Sequence, residues 1–158
     1  MNVKKLMSKP VATCRPGDTL ETAAQRMSEN DCGALPVVDD SGSAIGMVTD
    51  RDICMTAYSQ DEPLREIEVS KAMSKQLFTC HADDKLDKAE RLMSQNQIRR
   101  VPVIDANNRP IGILTLNDIA RYAQKQQKDG IDREVVQTFD AICQPRPQAQ
   151  ARAQPRSN

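Results

Sequence analysis

Aromatic side chains and a surplus of charge are what this sequence most lacks. It holds 2 Tyr, 2 Phe and no Trp in 158 residues, and its 22 Lys and Arg are balanced by 22 Asp and Glu. Proteins that bind single-stranded nucleic acid stack bases on aromatic rings, and a nucleic-acid or anionic-membrane partner requires a basic surface. We therefore expect neither nucleic acid nor a membrane as a partner.

Long apolar runs are absent as well. No stretch approaches the roughly 18 apolar residues of a membrane-spanning helix, and no apolar segment of a signal peptide follows the lysines of MNVKKLMSKP. The five cysteines are an odd number without a C-x-x-C pair, which favours reduced thiols over a disulfide framework. We expect a cytoplasmic protein.

The short motifs of catalysis are also missing. The sequence has no P-loop, no G-x-G-x-x-G, no G-x-S-x-G and no H-E-x-x-H. The one histidine, His81, directly follows Cys80, and successive side chains of an extended segment point to opposite faces. These two residues therefore cannot form a nucleophile–base pair, and we expect no catalytic residues and no enzyme.

What the sequence does contain is an internal repeat. Residues 7–57 align without a gap to residues 73–123, an offset of 66 with 20 identities in 51 positions. Such self-similarity marks one structural unit used twice. Because a unit of this size is too small to be stable alone, we expect the two to pack against each other on a shared sheet face.

Each repeat predicts the order β-α-β-β-α, and hence an α/β fold. Asp18 and Asp84 precede an apolar stripe at helical spacing and are predicted to cap the first helices. The other predicted elements are the extended pieces Val11–Cys14 and Leu77–Cys80, the strands Ala34–Val38, Ile45–Thr49, Val101–Ile104 and Ile111–Thr115, and the closing helices Asp50–Ala57 and Leu116–Lys125.

Five segments follow from this organisation. We assign residues 1–60 to repeat one, 61–71 to a linker, 72–128 to repeat two, 131–143 to an extra helix and 144–158 to a disordered tail. The extra helix carries Val135, Val136, Phe139 and Ile142 at helical spacing, which predicts docking on the repeats. The tail has no carboxylate and is rich in Pro, Gln and Arg, a composition that cannot form a core.

The stretches GALPVVDDSGSAIGMVTDRDI and IRRVPVIDANNRPIGILTLNDIAR resemble a CBS domain pair, also called a Bateman module. The resemblance covers about residues 1–125, and VVQTFDAICQP also resembles the ending of stand-alone bacterial CBS proteins of the hypoxic-response type. It implies a homodimer of modules and adenosine-type ligands (AMP, ADP, ATP, S-adenosylmethionine or NAD) in clefts between the repeats. No cofactor is required, and the regulated effector is expected to be another protein.

The motif Gly46-x-x-Thr49-x-x-Asp52 and its copy Gly112-x-x-Thr115-x-x-Asp118 place a carboxylate in the first turn of each closing helix. One interpretation is a helix cap, with the Thr hydroxyl and the carboxylate satisfying backbone amides. The other is a ligand site, with Thr49, Asp52, Thr115 and Asp118 holding ribose while free amides of the helix N-terminus meet a phosphate. The resemblance favours the ligand, and one residue can fill both roles.

A phosphate also needs a fixed cation. Arg99 and Arg100 precede a strand, and the resemblance implies a phosphate contact at Arg100, whose guanidinium can pair two oxygens at once. The repeat-one equivalents are Gly33 and Ala34, without charge. We therefore expect the Asp118 cleft, with Arg100, to prefer a phosphorylated ligand, and the Asp52 cleft to be weaker, empty or served by Arg51 or Arg15. The alternative is that Arg99 and Arg100 lie in a solvated loop.

Adenine needs an apolar slot. The candidates are Val11, Ala12 and Thr13 with Met47, and Leu77, Phe78 and Thr79 with Ile113. Plain core packing is the alternative for each of them.

The cysteines suggest a further hypothesis. Cys14 and Cys80 are equivalent positions, and with His81 and Cys143 they could hold Zn²⁺, although their spacing matches no short metal motif. Buried apolar packing is the alternative. Three functions therefore stay open: an adenine-nucleotide sensor, an interaction scaffold with empty clefts, and a zinc or thiol redox sensor using Cys14, Cys80 and Cys143.

Overall fold

A computed structural model describes residues 1–126 and 131–144. The predicted tail lies outside the described residues, apart from Gln144. The elements are α1 (Leu20–Glu29), β1 (Ala34–Val38), β2 (Ala44–Thr49), α2 (Asp50–Gln60), α3 (Val69–Ala72), β3 (Cys80–His81), α4 (Leu86–Asn96), β4 (Arg100–Ile104), β5 (Pro110–Thr115), α5 (Leu116–Gln126) and α6 (Ile131–Cys143), with 3-10 turns at Val3–Lys5 and Leu64–Glu66.

The predicted β-α-β-β-α order is confirmed in repeat two, and repeat one differs only in its first strand. There, a single parallel bridge from Cys14 to Val37 stands where β3 pairs with β4 through Cys80 and Val103. In both repeats the two following strands are antiparallel, with a register shift at the same place. The two strand pairs therefore have the same lengths and the same register.

The predicted caps of the first helices are wrong by one residue. Thr19 caps α1, accepting a hydrogen bond from the Thr22 amide, and Lys85 precedes α4 without a side-chain cap. Asp18 instead accepts hydrogen bonds from the Arg15 amide and the Arg26 guanidinium. Asp84 likewise closes the preceding turn, which positions it before the helix rather than at its first amides.

The two repeats exchange backbone pairing through two equivalent segments. We call residues 1–8 the first crossing segment and residues 67–74 the second. The first pairs with repeat two, where the Val3 amide donates to the Asp84 carbonyl and Ser8 pairs with Ile113 of β5. The second makes the equivalent bonds to repeat one, including the pair of Ser74 with Met47 of β2. Each repeat is therefore completed by the chain that precedes the other.

The crossing segments also complete the hydrophobic cores. Val3 is fully buried among the core residues of repeat two, whereas Ile67 and Val69 are buried in that of repeat one. Ile67 and Val69, which lie inside the predicted linker, are therefore part of the core. Burying such a side chain stabilises the fold by roughly 1.5–3 kcal/mol.

Helix α6 packs against α4 and α5 of repeat two. Val135 and Ile142 are buried and Phe139 is partly buried against that core, whereas Val136 is 65% exposed. The face of α6 that docks therefore runs through three of the four predicted apolar positions. Among the described residues, no helix has the length and apolar character needed to cross a membrane.

Glycine at positions 46 and 112 is explained by the crossing segments. A Cβ at Gly46 would lie 2.6 Å from the Ser74 carbonyl oxygen, and one at Gly112 would lie 3.1 Å from the Ser8 carbonyl oxygen. The strands can pair with the crossing segments only because no side chain stands between the backbones.

We predict that Gly46→Ala destabilises the protein by about 1–3 kcal/mol, because the new methyl group meets backbone that cannot move freely. Urea unfolding followed by circular dichroism measures the change. Gly17→Ala is the matched control, because a Cβ at Gly17 meets no atom within 4 Å. Equal stability of the two variants would contradict the close approach.

Candidate ligand-binding site

A cavity of about 640 Å³ opens between the two repeats. Its repeat-one wall is the end of β2 and the first turn of α2, and its opposite wall is the segment that joins α4 to β4. The lining residues are Met47, Thr49, Asp50, Arg51, Asp52, Ser74, Gln76, Phe78, Asn96, Gln97, Ile98, Arg99, Arg100, Pro102, Ile142, Cys143 and Gln144. The size lies within the range of small-molecule sites.

Thr49 and Asp52 form the predicted capping box at the start of α2. The Asp52 amide donates to Thr49 Oγ1 at 3.1 Å, and Asp52 Oδ2 accepts hydrogen bonds from the Thr49 amide at 2.9 Å and hydroxyl at 2.7 Å. The cap satisfies amides that a helix start leaves without intrahelical partners. Asp52 Oδ1 accepts no hydrogen bond from the described residues and is available to a ligand.

The expectation that the start of α2 offers free amides to a phosphate is wrong. The Asp50 amide donates to the Gly33 carbonyl at 3.2 Å, the Arg51 amide to Asp50 Oδ1 at 2.8 Å, and the Asp52 amide to Thr49 Oγ1. These bonds use the donors that an anion would need. A phosphate in this cavity would therefore not be bound by the first amides of α2.

Of the residues that the structure describes, three cations line the cavity: Arg51, Arg99 and Arg100. None of them forms an ion pair with another described residue. Arg100 reaches toward repeat one, where a Cβ on Gly33 would lie 3.3 Å from its Nη1. The missing side chain of Gly33 leaves space for this guanidinium beside Asp50.

The predicted pairing of Arg100 with the Asp118 cleft is wrong. Arg99 and Arg100 line the same cavity as Asp52 and Arg51. The reason is that the repeats face each other, so the residues before β4 lie opposite the start of α2. Arg15, the other cation suggested for the Asp52 cleft, lies instead beside Asp40, with 3.6 Å between their charged groups.

The predicted adenine slots combined the wrong segments. Met47 lies in the cavity with Phe78, from the stretch that follows the second crossing segment, and not with Val11, Ala12 or Thr13. Because Met47 pairs with Ser74, the chain just beyond Ser74 is what lies beside it. The remaining predicted slot residues, Leu77, Thr79 and Ile113, also lie outside the lining of this cavity.

The structure does not bring the predicted zinc ligands together. Cys14 is buried in the core of repeat one and Cys80 in that of repeat two, whereas His81 is exposed and Cys143 lines the cavity. Within residues 1–126 and 131–144, no three His, Cys, Asp or Glu side chains could hold a metal ion. Burial raises the pKa of Cys14 to about 12 and that of Cys80 to about 11, so neither is a thiolate near neutral pH.

Comparison with known proteins identifies the family. The model of the CBS domain matches residues 3–57 and 64–125. The chain belongs to the CBS-domain family. The CBS domain-containing protein YhcV of Bacillus subtilis is 40% identical over 129 residues, covering 82% of this chain and 90% of YhcV. The predicted CBS domain pair is confirmed.

Two further relatives have ligands. The CBS domain pair of protein MJ0100, crystallised with 5′-methylthioadenosine and S-adenosylmethionine, is 30% identical with a TM-score of 0.73, covering 80% of this chain and 98% of that one. Hypoxic response protein 1 of Mycobacterium tuberculosis is 32% identical over 142 residues, covering 90% and 94% of the two chains. A crystal structure of Hypoxic Response Protein I with two coordinated zinc ions has a TM-score of 0.69 at 32% identity, covering 77% and 98%. The homodimer and the effector of this chain stay predictions.

Sequence reasoning missed the residues that reach the cavity from other segments. Gln76 enters because the second crossing segment pairs with β2, and Ile142 and Gln144 enter at the end of α6. The Gln97 side-chain amide donates to the Gln144 carbonyl at 3.1 Å, which joins α6 to the rim of the cavity. No local sequence pattern predicts that these residues line the cavity. The equivalence of Ser8 and Ser74 could, however, have indicated that both segments pair with a strand of the other repeat.

We predict that alkylation of the native protein at about pH 8 modifies the exposed Cys54 and Cys143 and leaves Cys14 and Cys80 unmodified. Burial both excludes the reagent and suppresses the thiolates of the latter pair. Peptide mass spectrometry after iodoacetamide treatment measures the result, and the urea-unfolded protein, in which all five thiols should react, is the control. Rapid native labelling of Cys14 or Cys80 would contradict the assigned burial.

Proposed function

We propose that this protein is a regulatory module that binds an adenine nucleotide in the Asp52 cavity and transmits its occupancy to a separate effector protein. The observation that carries the proposal is that one cavity combines the free Oδ1 of Asp52, held in place by the cap, with guanidinium groups on Arg51, Arg99 and Arg100 that form no ion pair with the described residues.

Ribose would be bound by Asp52. Its Oδ1 is available, while Oδ2 is held at a fixed place by Thr49. A carboxylate fixed in this way can accept hydrogen bonds from the vicinal hydroxyl groups of a ribose without first reorganising. The capping role and the ligand role thus use different oxygens of the same side chain.

The phosphate would be bound by the arginines. Arg100 and Arg99 approach from repeat two and Arg51 from repeat one, so the anion would lie between the repeats. Guanidinium groups form charge-assisted, often bidentate hydrogen bonds to phosphate. A phosphorylated adenosine therefore fits the charge of the cavity better than adenosine alone.

The base would lie on the apolar part of the lining, which is formed by Met47, Phe78, Ile98 and Pro102. An aromatic ring and a thioether give adenine a polarizable surface to contact. The adenosyl ligands of the related MJ0100 pair support this class of ligand.

The signal would pass through α6. Its last residues, Ile142 and Cys143, line the cavity, while Val135 and Ile142 hold the helix on repeat two. A ligand that contacts both repeats and the end of α6 would favour one arrangement of them. The effector would bind that arrangement preferentially, and the ligand's difference in affinity for the two arrangements sets the size of the shift.

We predict that AMP at about a hundredfold excess over its Kd raises the melting temperature by roughly 5–10 °C, because binding of that strength adds about 2.7 kcal/mol to the stability. Arg100→Ala should weaken AMP binding by roughly 10–100-fold, the cost of one charged hydrogen-bonded contact, and should leave adenosine binding nearly unchanged. Thermal unfolding and isothermal titration calorimetry measure the two effects.

Arg109→Ala is the matched control, because it removes one positive charge from an exposed position outside the cavity lining. If AMP binds to neither the wild type nor the control, the proposed function is wrong. Equal losses of affinity in Arg100→Ala and Arg109→Ala would instead mean that general charge, and not this cavity, attracts the nucleotide.

A further inference from the structure

Both carboxylate oxygens of Asp118, the repeat-two equivalent of Asp52, accept hydrogen bonds from other residues of the protein. Its Oδ2 accepts hydrogen bonds from the Thr115 amide at 2.9 Å and hydroxyl at 2.6 Å, as Asp52 does from Thr49. Its Oδ1 accepts a hydrogen bond from Ser8 Oγ at 3.3 Å and forms an ion pair with the Arg121 guanidinium. The Asp118 side chain is only 4% exposed, so neither oxygen is available to a ligand.

We propose that Arg121 closes the second cleft by acting as an internal ligand of Asp118, so that each chain holds one adenine nucleotide, in the Asp52 cavity. This inference rests on the proposed function, because it takes the same class of ligand. Arg121 is thereby the residue that determines the number of sites.

The equivalent positions of repeat one explain why only one cleft is closed. Met55 stands where repeat two has Arg121, and this uncharged side chain is 48% exposed. Ser74 stands where repeat two has Ser8, and its hydroxyl donates to the Gln76 carbonyl at 3.3 Å instead of to the aspartate. Neither side chain donates a hydrogen bond to Asp52 Oδ1. The two repeats therefore share the helix cap, but only repeat two has residues that bind the other carboxylate oxygen.

The wall opposite the aspartate also differs between the two clefts, and again it favours a phosphorylated ligand only in the Asp52 cavity. The residues that bring cations to the Asp52 cavity, Arg99 and Arg100, correspond to Gly33 and Ala34 in the other repeat. The Asp118 cleft therefore gains no cation from the equivalent wall. Even with Arg121 removed, it is suited to uncharged adenosine rather than to a nucleotide phosphate, and this preference makes the two sites distinguishable by their probes.

Calorimetric titration with AMP and with adenosine tests the inference on the full chain. The wild type should bind one AMP and one adenosine per chain. Arg121→Met, which copies repeat one, should bind one AMP and a second adenosine, because it frees Asp118 Oδ1. Methionine keeps the helix propensity of α5, and the replaced side chain is 67% exposed, so the variant should fold.

Two further variants control for indirect effects. Arg121→Lys retains a cation beside Asp118 and should keep the wild-type count of one adenosine. The double variant Arg121→Met/Asp118→Asn should lose the second adenosine while keeping the first, which locates the gained site at Asp118. Circular dichroism establishes that each variant is folded before the sites are counted.

Each outcome decides one of the two ideas. Two AMP per wild-type chain, or one adenosine in Arg121→Met, overturns the inference and leaves the proposed function standing. No binding of either probe to the wild type overturns the proposed function and with it the single nucleotide per chain, and Arg121→Met then tests only the closure of the Asp118 cleft. A single adenosine gained by that variant would support closure by Arg121, and none would overturn it.

Discussion

The backbone groups at the outer edges of β2 and β5 need hydrogen-bond partners, and both find them in a crossing segment that precedes the other repeat. Ser74 pairs with Met47 and Ser8 pairs with Ile113. Because buried backbone donors and acceptors are costly to leave unpaired, this exchange ties the repeats together more firmly than contact between two finished units would. The cavity exists where it does because the exchange brings residues 74–78 beside β2.

The cap of each closing helix has a double use. One oxygen of the aspartate serves the helix start. The other accepts a hydrogen bond from Arg121 in repeat two, whereas in repeat one it accepts none from the described residues. A carboxylate held by the cap loses less conformational freedom on binding a ligand than an unrestrained one would. The capping and binding interpretations of Thr49-x-x-Asp52 are therefore compatible.

The two repeats share the same backbone arrangement but differ in a few side chains at their clefts. The backbone bonds of the two crossing segments match one for one, yet the side chains that differ, Arg100 against Ala34 and Arg121 against Met55, concentrate positive charge in one cleft and fill the carboxylate of the other. Equal folds thus do not give equal sites, because specificity depends on a few side chains placed on shared backbone.

The sequence by itself determined the repeat, the strand and helix order, the capping pair Thr49 and Asp52 and the basic residues at positions 99 and 100, because each of these depends on local spacing or on comparison of the chain with itself. Only the tertiary structure decided which segments meet. The union of Arg100 with Asp52, the entry of Phe78 beside Met47 and the separation of Cys14 from Cys80 all depend on the crossing of the chain between repeats. Local residue spacing does not show which segments such a crossing brings together, because the crossing is set by backbone hydrogen bonds between residues far apart in the chain.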